Sequence, residues 1–246
     1  MKLNFFLFFT LSIAIFSCSS DDSKNPQDNN TLLKKIIETD IDDEVITTNY
    51  NYDGNKLLSI ISSDDYKTEY TYDNNKLTRV DSYRDGEQNA YTILTYNENG
   101  GIASYILHII GDNTFRYDFQ KNVDNTVSVE VYIGDLNSQT TLNRSYTMTY
   151  KGQNILKEVE TDYELSYEYD DKNGPYRNIH SIGIINLLSL DFGGLESYSN
   201  NTTKKTDIEN GFTTTKVYEY TYKNDYPKIV ECYNDGKFES SKEYFY

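Results

Sequence analysis

Apolar and polar positions alternate along most of this chain. Tyr70 and Tyr72, Tyr167 and Tyr169, and Tyr218, Tyr220 and Tyr222 stand two residues apart. Each set therefore projects from one face of an extended strand, with Thr71, Glu168, Glu219 and Thr221 on the other. The aromatic runs end in Asp53-Gly54-Asn55, Asp73-Asn74-Asn75 or Asn97-Glu98-Asn99-Gly100, residues whose tolerance of positive φ suits tight hairpin turns. Similar signals at Asp85-Gly86, Asn210-Gly211 and Asp235-Gly236 predict strands from about Leu32 to Tyr246. A meander is the simplest topology for them.

One phrase recurs. YNYDGNKLLSI (Tyr50 to Ile60) and YTYDNNKLTRV (Tyr70 to Val80) align without a gap, and LTYNENGGIASY (Leu94 to Tyr105) keeps the tyrosine and the turn. Looser copies start at Tyr146, Tyr167 and Tyr218. The period suits one hairpin per repeat. The fold class read from this is all-β and mainly antiparallel, a meander of tyrosine-rich hairpins forming a large twisted sheet. One segment departs from the pattern: Ile179, Ile182, Ile185 and Leu188 recur at three, Ile184, Leu187 and Leu190 widen the stripe, and Phe192-Gly193-Gly194 stops it. A short helix near Ile182 to Leu190 is predicted, covering a face of the sheet. The rival is a buried strand, since Gly183 costs a helix about 1 kcal/mol.

Composition sharpens this picture. Twenty-five tyrosines with only three prolines favour strands, and residues 31–246 fit a single domain. The net charge of −16 opposes binding to phosphate backbones, so nucleic acid is excluded as a partner. Met1-Lys2 followed by an apolar run from Leu3 to Phe16 has the form of a signal peptide, residues 1–17, too short to span a membrane. A polar tether, residues 18–30, follows.

Ser17 before Cys18, with Ile15 further back, resembles the lipobox of bacterial lipoproteins. That resemblance implies that Cys18 becomes the mature N-terminus and carries the lipid, which would anchor the protein to the membrane. Ser19-Ser20-Asp21-Asp22-Ser23 resembles the tether of Bacteroidota lipoproteins displayed at the cell surface, so the implied location is the outer membrane, facing outward. YTYDNNKLTRV resembles the tyrosine-aspartate repeats of RHS proteins, which implies a wound β-sheet. The whole chain resembles a domain-of-unknown-function family of Bacteroidota lipoproteins, and that resemblance implies no activity.

Chemistry-bearing motifs are sparse. The sequence has no phosphate-binding glycine loop, nucleophile elbow, HExxH or CxxC. No catalytic, cofactor or metal residue is assigned. His108 and His180 stand far apart, and His108 reads as a strand residue at the sheet surface. Cys232 shares the Val230 side of its strand and reads as a small buried residue. Asp40-Ile41-Asp42-Asp43-Glu44 and Ser63-Asp64-Asp65 read as solvated turns, the sharper reading being oxygen ligands for calcium. Tyr72 and Tyr220 are expected in the core. Three functions are weighed: a surface-displayed binding module for a glycan or protein ligand, a structural component of the envelope, and a carboxylate-dependent glycoside hydrolase. The first, non-enzymatic, is preferred.

Overall fold

The computed structural model describes residues 31–189 and 199–246. The expected signal peptide, tether and Cys18 lie outside the described residues, as do Leu190 and Phe192-Gly193-Gly194.

The strands are β1 (Lys35–Asp40), β2 (Val45–Asp53), β3 (Lys56–Ser62), β4 (Tyr66–Asp73), β5 (Lys76–Arg84), β6 (Glu87–Tyr96), β7 (Ile102–Ile109), β8 (Thr114–Lys121), β9 (Val127–Gly134), β10 (Gln139–Lys151), β11 (Asn154–Val159), β12 (Tyr163–Tyr169), β13 (Thr202–Glu209), β14 (Phe212–Lys223), β15 (Tyr226–Asn234) and β16 (Lys237–Phe245). The helix α1 (Ile182–Ser189) lies between β12 and β13. Every strand pairs antiparallel with its sequence neighbours, as a meander requires. The predicted twisted sheet is corrected in one respect. β1 pairs with β16, from Lys35↔Phe245 to Asp40↔Ser240, and closes the sheet into a barrel. Closure removes the two edges that an open sheet would leave as templates for aggregation.

Turns alternate between the two ends of the barrel. Asn74 and Asn75 (φ 48° and 67°) and Asp85 with Gly86 (φ 53° and 81°) take the doubly left-handed form that matches strand twist. One end carries the termini and the long β12–β13 connection with α1. The other, among the described residues, carries only turns of two to four residues. We call them the helix end and the short-turn end.

At the helix end the repeat shows its physical purpose. In the Tyr52 and Tyr72 hairpins a bulge falls beside the tyrosine, between Asn51 and Tyr52 and between Thr71 and Tyr72. Tyrosines at this end donate their hydroxyls to a backbone carbonyl of the neighbouring hairpin or lead-in: Tyr52 to Leu33 (2.7 Å), Tyr96 to Leu77 (2.6 Å), Tyr169 to Ile155 (2.7 Å), Tyr220 to Thr202 (3.0 Å) and Tyr246 to Pro227 (3.1 Å). Tyr72 holds the same place against Leu57, with its hydroxyl outside hydrogen-bonding geometry. The acceptors Leu33 and Leu77 are fully buried. Each tyrosine thus fills the barrel with its ring, and all of them but Tyr72 lock their hairpin to its neighbour or to a lead-in with the hydroxyl. Tyr72 and Tyr220 pack against the core as expected, and Tyr70 and Tyr218 are buried outright.

The expected helix forms, and the strand alternative is excluded; Gly183 lies exposed where no side chain is needed. The helix does not cover a sheet face from outside. Ile179, Ile182, Ile185 and Leu188 join the same core cluster as Tyr50, Leu57, Tyr70 and Leu77, so the connection closes the helix end. Its lead-in is stitched to the turns there. His180 donates its backbone N–H to the Asn55 carbonyl (2.8 Å) and places Nε2 at the Asn75 carbonyl (2.6 Å). Asn178 donates to the Thr31 carbonyl (2.9 Å), and the Tyr50 and Tyr176 hydroxyls meet at 3.2 Å. Burial pushes the Tyr50 phenol up to about 12.

The outer wall is charged. Cross-strand pairing sets Lys67, Glu69, Arg79, Asp81, Arg116, Asp118, Glu130, Lys157, Glu164, Glu168, Lys204, Glu219 and Glu231 opposite the inward-facing residues. Many are joined: Arg79–Asp81 at 2.6 Å, Lys67–Glu69 at 2.5 Å, Arg116–Asp118 at 3.1 Å and Lys157–Glu164 at 2.7 Å. The guanidinium of Arg79 lies over the Tyr91 ring and that of Arg116 over Tyr132.

Candidate functional site at the short-turn end

Toward the short-turn end the inward face changes character. Along β10 to β16 and β1, the register that placed tyrosines inside now places ions there. Arg144 pairs with Val131, Glu158 with Met148 and Leu165, and Lys242 with Val230 and Glu38, all on the inner side. Three ionic groups result. Arg144 bonds Glu158 (2.9 Å), lies 3.6 Å from Glu160, and has the Tyr146 ring beneath its guanidinium. Lys216 bonds both oxygens of Glu239 (2.9 and 2.7 Å), to which Cys232 Sγ also donates (3.2 Å). Lys242 lies 3.4 Å from Glu38, which accepts from Ser240 (3.0 Å). The Arg144, Lys216 and Glu239 side chains are 38%, 30% and 37% exposed, so water reaches the interior from this end.

The charges shift one another. Burial, followed by the carboxylates of Asp207 and Glu158, pushes the Tyr163 phenol up to about 12. Burial works against the Arg144 cation, but Tyr146, Glu158 and Glu160 outweigh it and hold its pKa above the ordinary value. Glu239 is drawn down: burial opposes ionisation, and hydrogen bonds from Lys216 and Cys232 together with the Lys216 charge prevail.

The rim repeats the acidity. Each of the eight turns at this end holds a carboxylate within it or on its flank, from Asp42 and Asp43 through Asp64, Asp112 and Asp135 to Asp235, and Arg84 and Lys237 are the only flanking bases. Some of these turns are closed by their own carboxylates, and others bond the neighbouring hairpin, as Ser63 N–H does the Thr47 carbonyl (2.9 Å), Asp85 N–H the Asp65 carbonyl (3.1 Å) and Asp235 N–H the Thr215 carbonyl (2.8 Å). Asp40 Oδ1 accepts from the backbone of Asp42 and Glu44 at 2.9 Å each, and Asp135 Oδ1 from Asn137 and Ser138. The Asp40–Glu44 segment is thus a turn capped by its own first carboxylate, the Ser63–Asp65 segment is a turn bonded to Thr47 and Asp85, and among the described residues no group of three or more His, Cys, Asp or Glu is arranged to hold a metal ion.

The residues singled out by sequence do not converge. His108 sits on the outer wall, with Nδ1 2.8 Å from Thr114 Oγ1 and its ring against Tyr91. His180 belongs to the helix end. Cys232 is buried beside Val230, as its alternation implied, but its neighbour Glu239 was not foreseen. The inward ions Arg144, Glu158, Lys216 and Lys242 were missed. Their one sequence signal is the appearance of Lys and Glu at positions in step with tyrosines, as with Lys216 before Tyr218 and Lys242 before Tyr244.

No family model matches the chain, and no curated protein sequence does. Among solved structures the chain is similar to a porin-like protein from Bacteroides uniformis ATCC 8492, at 13% identity over 87% of this chain and 97% of that one, with a TM-score of 0.50. It also matches a porin-like protein from Bacteroides vulgatus ATCC 8482, at 14% identity over 88% of this chain and 99% of that one, with a TM-score of 0.39. The likeness to the first is one of fold: a barrel of antiparallel strands, which the closure of β1 on β16 had already indicated.

Proposed function

We propose that this chain is a lipid-tethered envelope protein that works in water as a binding module, presenting the short-turn end of its barrel to a glycan or protein ligand. The observation that carries the reading is the charged outer wall. A transmembrane barrel turns an apolar band outward, and each Arg or Lys placed at the bilayer midplane costs about 2–4 kcal/mol. Here the middle of the wall holds Arg79, Arg116, Lys157 and Lys204 with their carboxylate partners. A conducting role is disfavoured on a second ground, since side chains of α1 fill the helix end. Thr31, at the start of the described chain, lies at that end, so an anchor at Cys18 holds the barrel there and leaves the short-turn end to face outward.

Three measurements test this. Labelled fatty acid is expected to enter the full chain and not Cys18→Ala; equal labelling would sink the anchor. The full chain is expected to give no conductance steps in planar bilayers, and to bind members of glycan or peptide arrays with hydrogen-exchange protection at the short-turn end. Conductance, or protection confined to the helix end, would overturn the reading.

A further inference from the structure

The two rims differ in charge and in apolar exposure. Resting on the reading above, we infer that the short-turn rim docks a basic, amphipathic polypeptide segment of a partner protein.

Turns at the helix end are balanced. Asp53 is matched by Lys56 and Asp73 by Lys76 across two-residue turns, and Lys172 pairs with Asp225 at 2.8 Å. At the short-turn rim Arg84, 3.9 Å from Asp85, and Lys237 beside Asp235 flank two turns and the other six have no flanking base, so the excess negative charge of the barrel collects there. The same rim exposes large apolar side chains in or beside its turns, Ile41 (64%), Val45 (58%), Ile110 (48%), Leu136 (52%) and Phe212 (81%), where the turns of the helix end expose Val123. Single exposed apolar residues need no explanation, but a set sharing one rim marks an interaction surface. Its chemistry selects the occupant. Negative potential repels anionic lipid headgroups and phosphate backbones, and draws in Lys and Arg. A neutral sugar would hydrogen-bond the carboxylates through its hydroxyls but gain no attraction from the net charge, and the repeat tyrosines that would stack on its ring are turned inward, which leaves Phe212 as the exposed ring among these apolar side chains. Apolar side chains interleaved with carboxylates complement a segment carrying both Lys or Arg and Leu-like residues.

The test titrates the full chain with two synthetic probes of equal charge, a twenty-residue peptide of alternating Leu and Lys pairs and an oligolysine, with oligoglutamate as the control. The Leu/Lys peptide is expected to bind, to weaken at least ten-fold when salt is raised to about 0.5 M, and to weaken comparably in the Asp42→Asn, Asp43→Asn, Asp64→Asn, Asp65→Asn variant. Asp43 and Asp65 have φ of 63° and 67°, a conformation Asn also adopts, so this variant keeps its turns. Phe212→Ser with Leu136→Ser is expected to weaken the Leu/Lys peptide several-fold and to leave oligolysine unaffected. Neutralising Asp53, Asp73, Glu98 and Asp171 at the helix end is expected to change nothing. The inference is overturned if helix-end neutralisation weakens binding equally, if oligolysine binds as tightly as the Leu/Lys peptide, or if neither binds. In that last case, a neutral glycan that protects the short-turn end leaves the binding-module reading standing while this inference falls.

Discussion

The helix end and the short-turn end are built from the same hairpins, yet they solve opposite problems. At the helix end, tyrosine rings fill the barrel, hydroxyls take carbonyls between hairpins, and turn charges cancel in pairs. At the short-turn end the inner wall carries ion pairs open to water, and the rim collects unmatched carboxylates and exposed apolar side chains. The difference teaches where repetition comes from. A buried site admits few solutions, because every ring needs a partner surface and every hydroxyl an acceptor, so the same phrase returns. A solvated rim admits many, and its turns vary freely.

The comparison breaks most visibly at a buried ring. Tyr70→Ala, which empties a core position 8% exposed, is expected to cost about 3–5 kcal/mol, against a typical total stability of about 5–15 kcal/mol. Phe212→Ala at the opposite rim is expected to change stability by less than about 0.5 kcal/mol. Denaturant unfolding of both variants checks the pair. Equal losses would mean that the rim is part of the core.

Besides the Tyr72 hydroxyl, a buried amide at the helix end breaks this rule. Asn186 is 1% exposed on α1, and neither its Nδ2 nor its Oδ1 has a hydrogen-bond partner. It lies one helical turn from the buried Ile182, so its side chain faces the core. An unsatisfied buried group costs about 1–3 kcal/mol. Asn186→Leu, of the same branched shape, is expected to raise stability by about that amount where the core admits its two methyl groups. A loss on the same substitution would show that the amide has a partner that the fold depends on.

A smaller effect isolates the hydroxyl lock. Tyr96→Phe keeps the ring and leaves the Leu77 carbonyl without its donor. The expected loss is about 0.5–1.5 kcal/mol. A thermal melt unchanged from wild type would mean that the rings alone hold the hairpins together.

Much of the helix end was legible in sequence. Alternating tyrosines gave the strands, Asp-Gly and Asn-Asn pairs the turns, and the three-residue apolar spacing the helix over Ile182–Ser189, because each is a local signal with a local cause. Closure was not legible. Pairing between Lys35 and Phe245 depends on twist accumulated over sixteen strands, and no single strand encodes that. For the same reason the helix was expected on a face and is found at an end. The short-turn site was least legible, since Arg144, Glu158, Lys216 and Glu239 acquire meaning only when register turns them inward together. Their one local trace, a charged residue two positions before an inward tyrosine as at Arg144 and Lys216, says nothing of which ions meet.

Acid titration separates those inward ions from the tyrosine core. Lys216 and Cys232 hold Glu239 ionised below its usual range, so its folded-state pKa is lower than its unfolded one. A carboxylate depressed in this way adds stability at pH values above its unfolded pKa, about 4.3, and that stability is lost as pH falls through the folded value. The tyrosine core has no group that changes charge in this window. Both partners are about a third exposed, so solvent screens the pair and the effect is small, below about 1 kcal/mol. Wild type is expected to melt higher than Glu239→Gln at pH 7, and the gap is expected to close near pH 3. A gap that survives at pH 3 would assign the role of Glu239 to packing beside Cys232 and not to its charge.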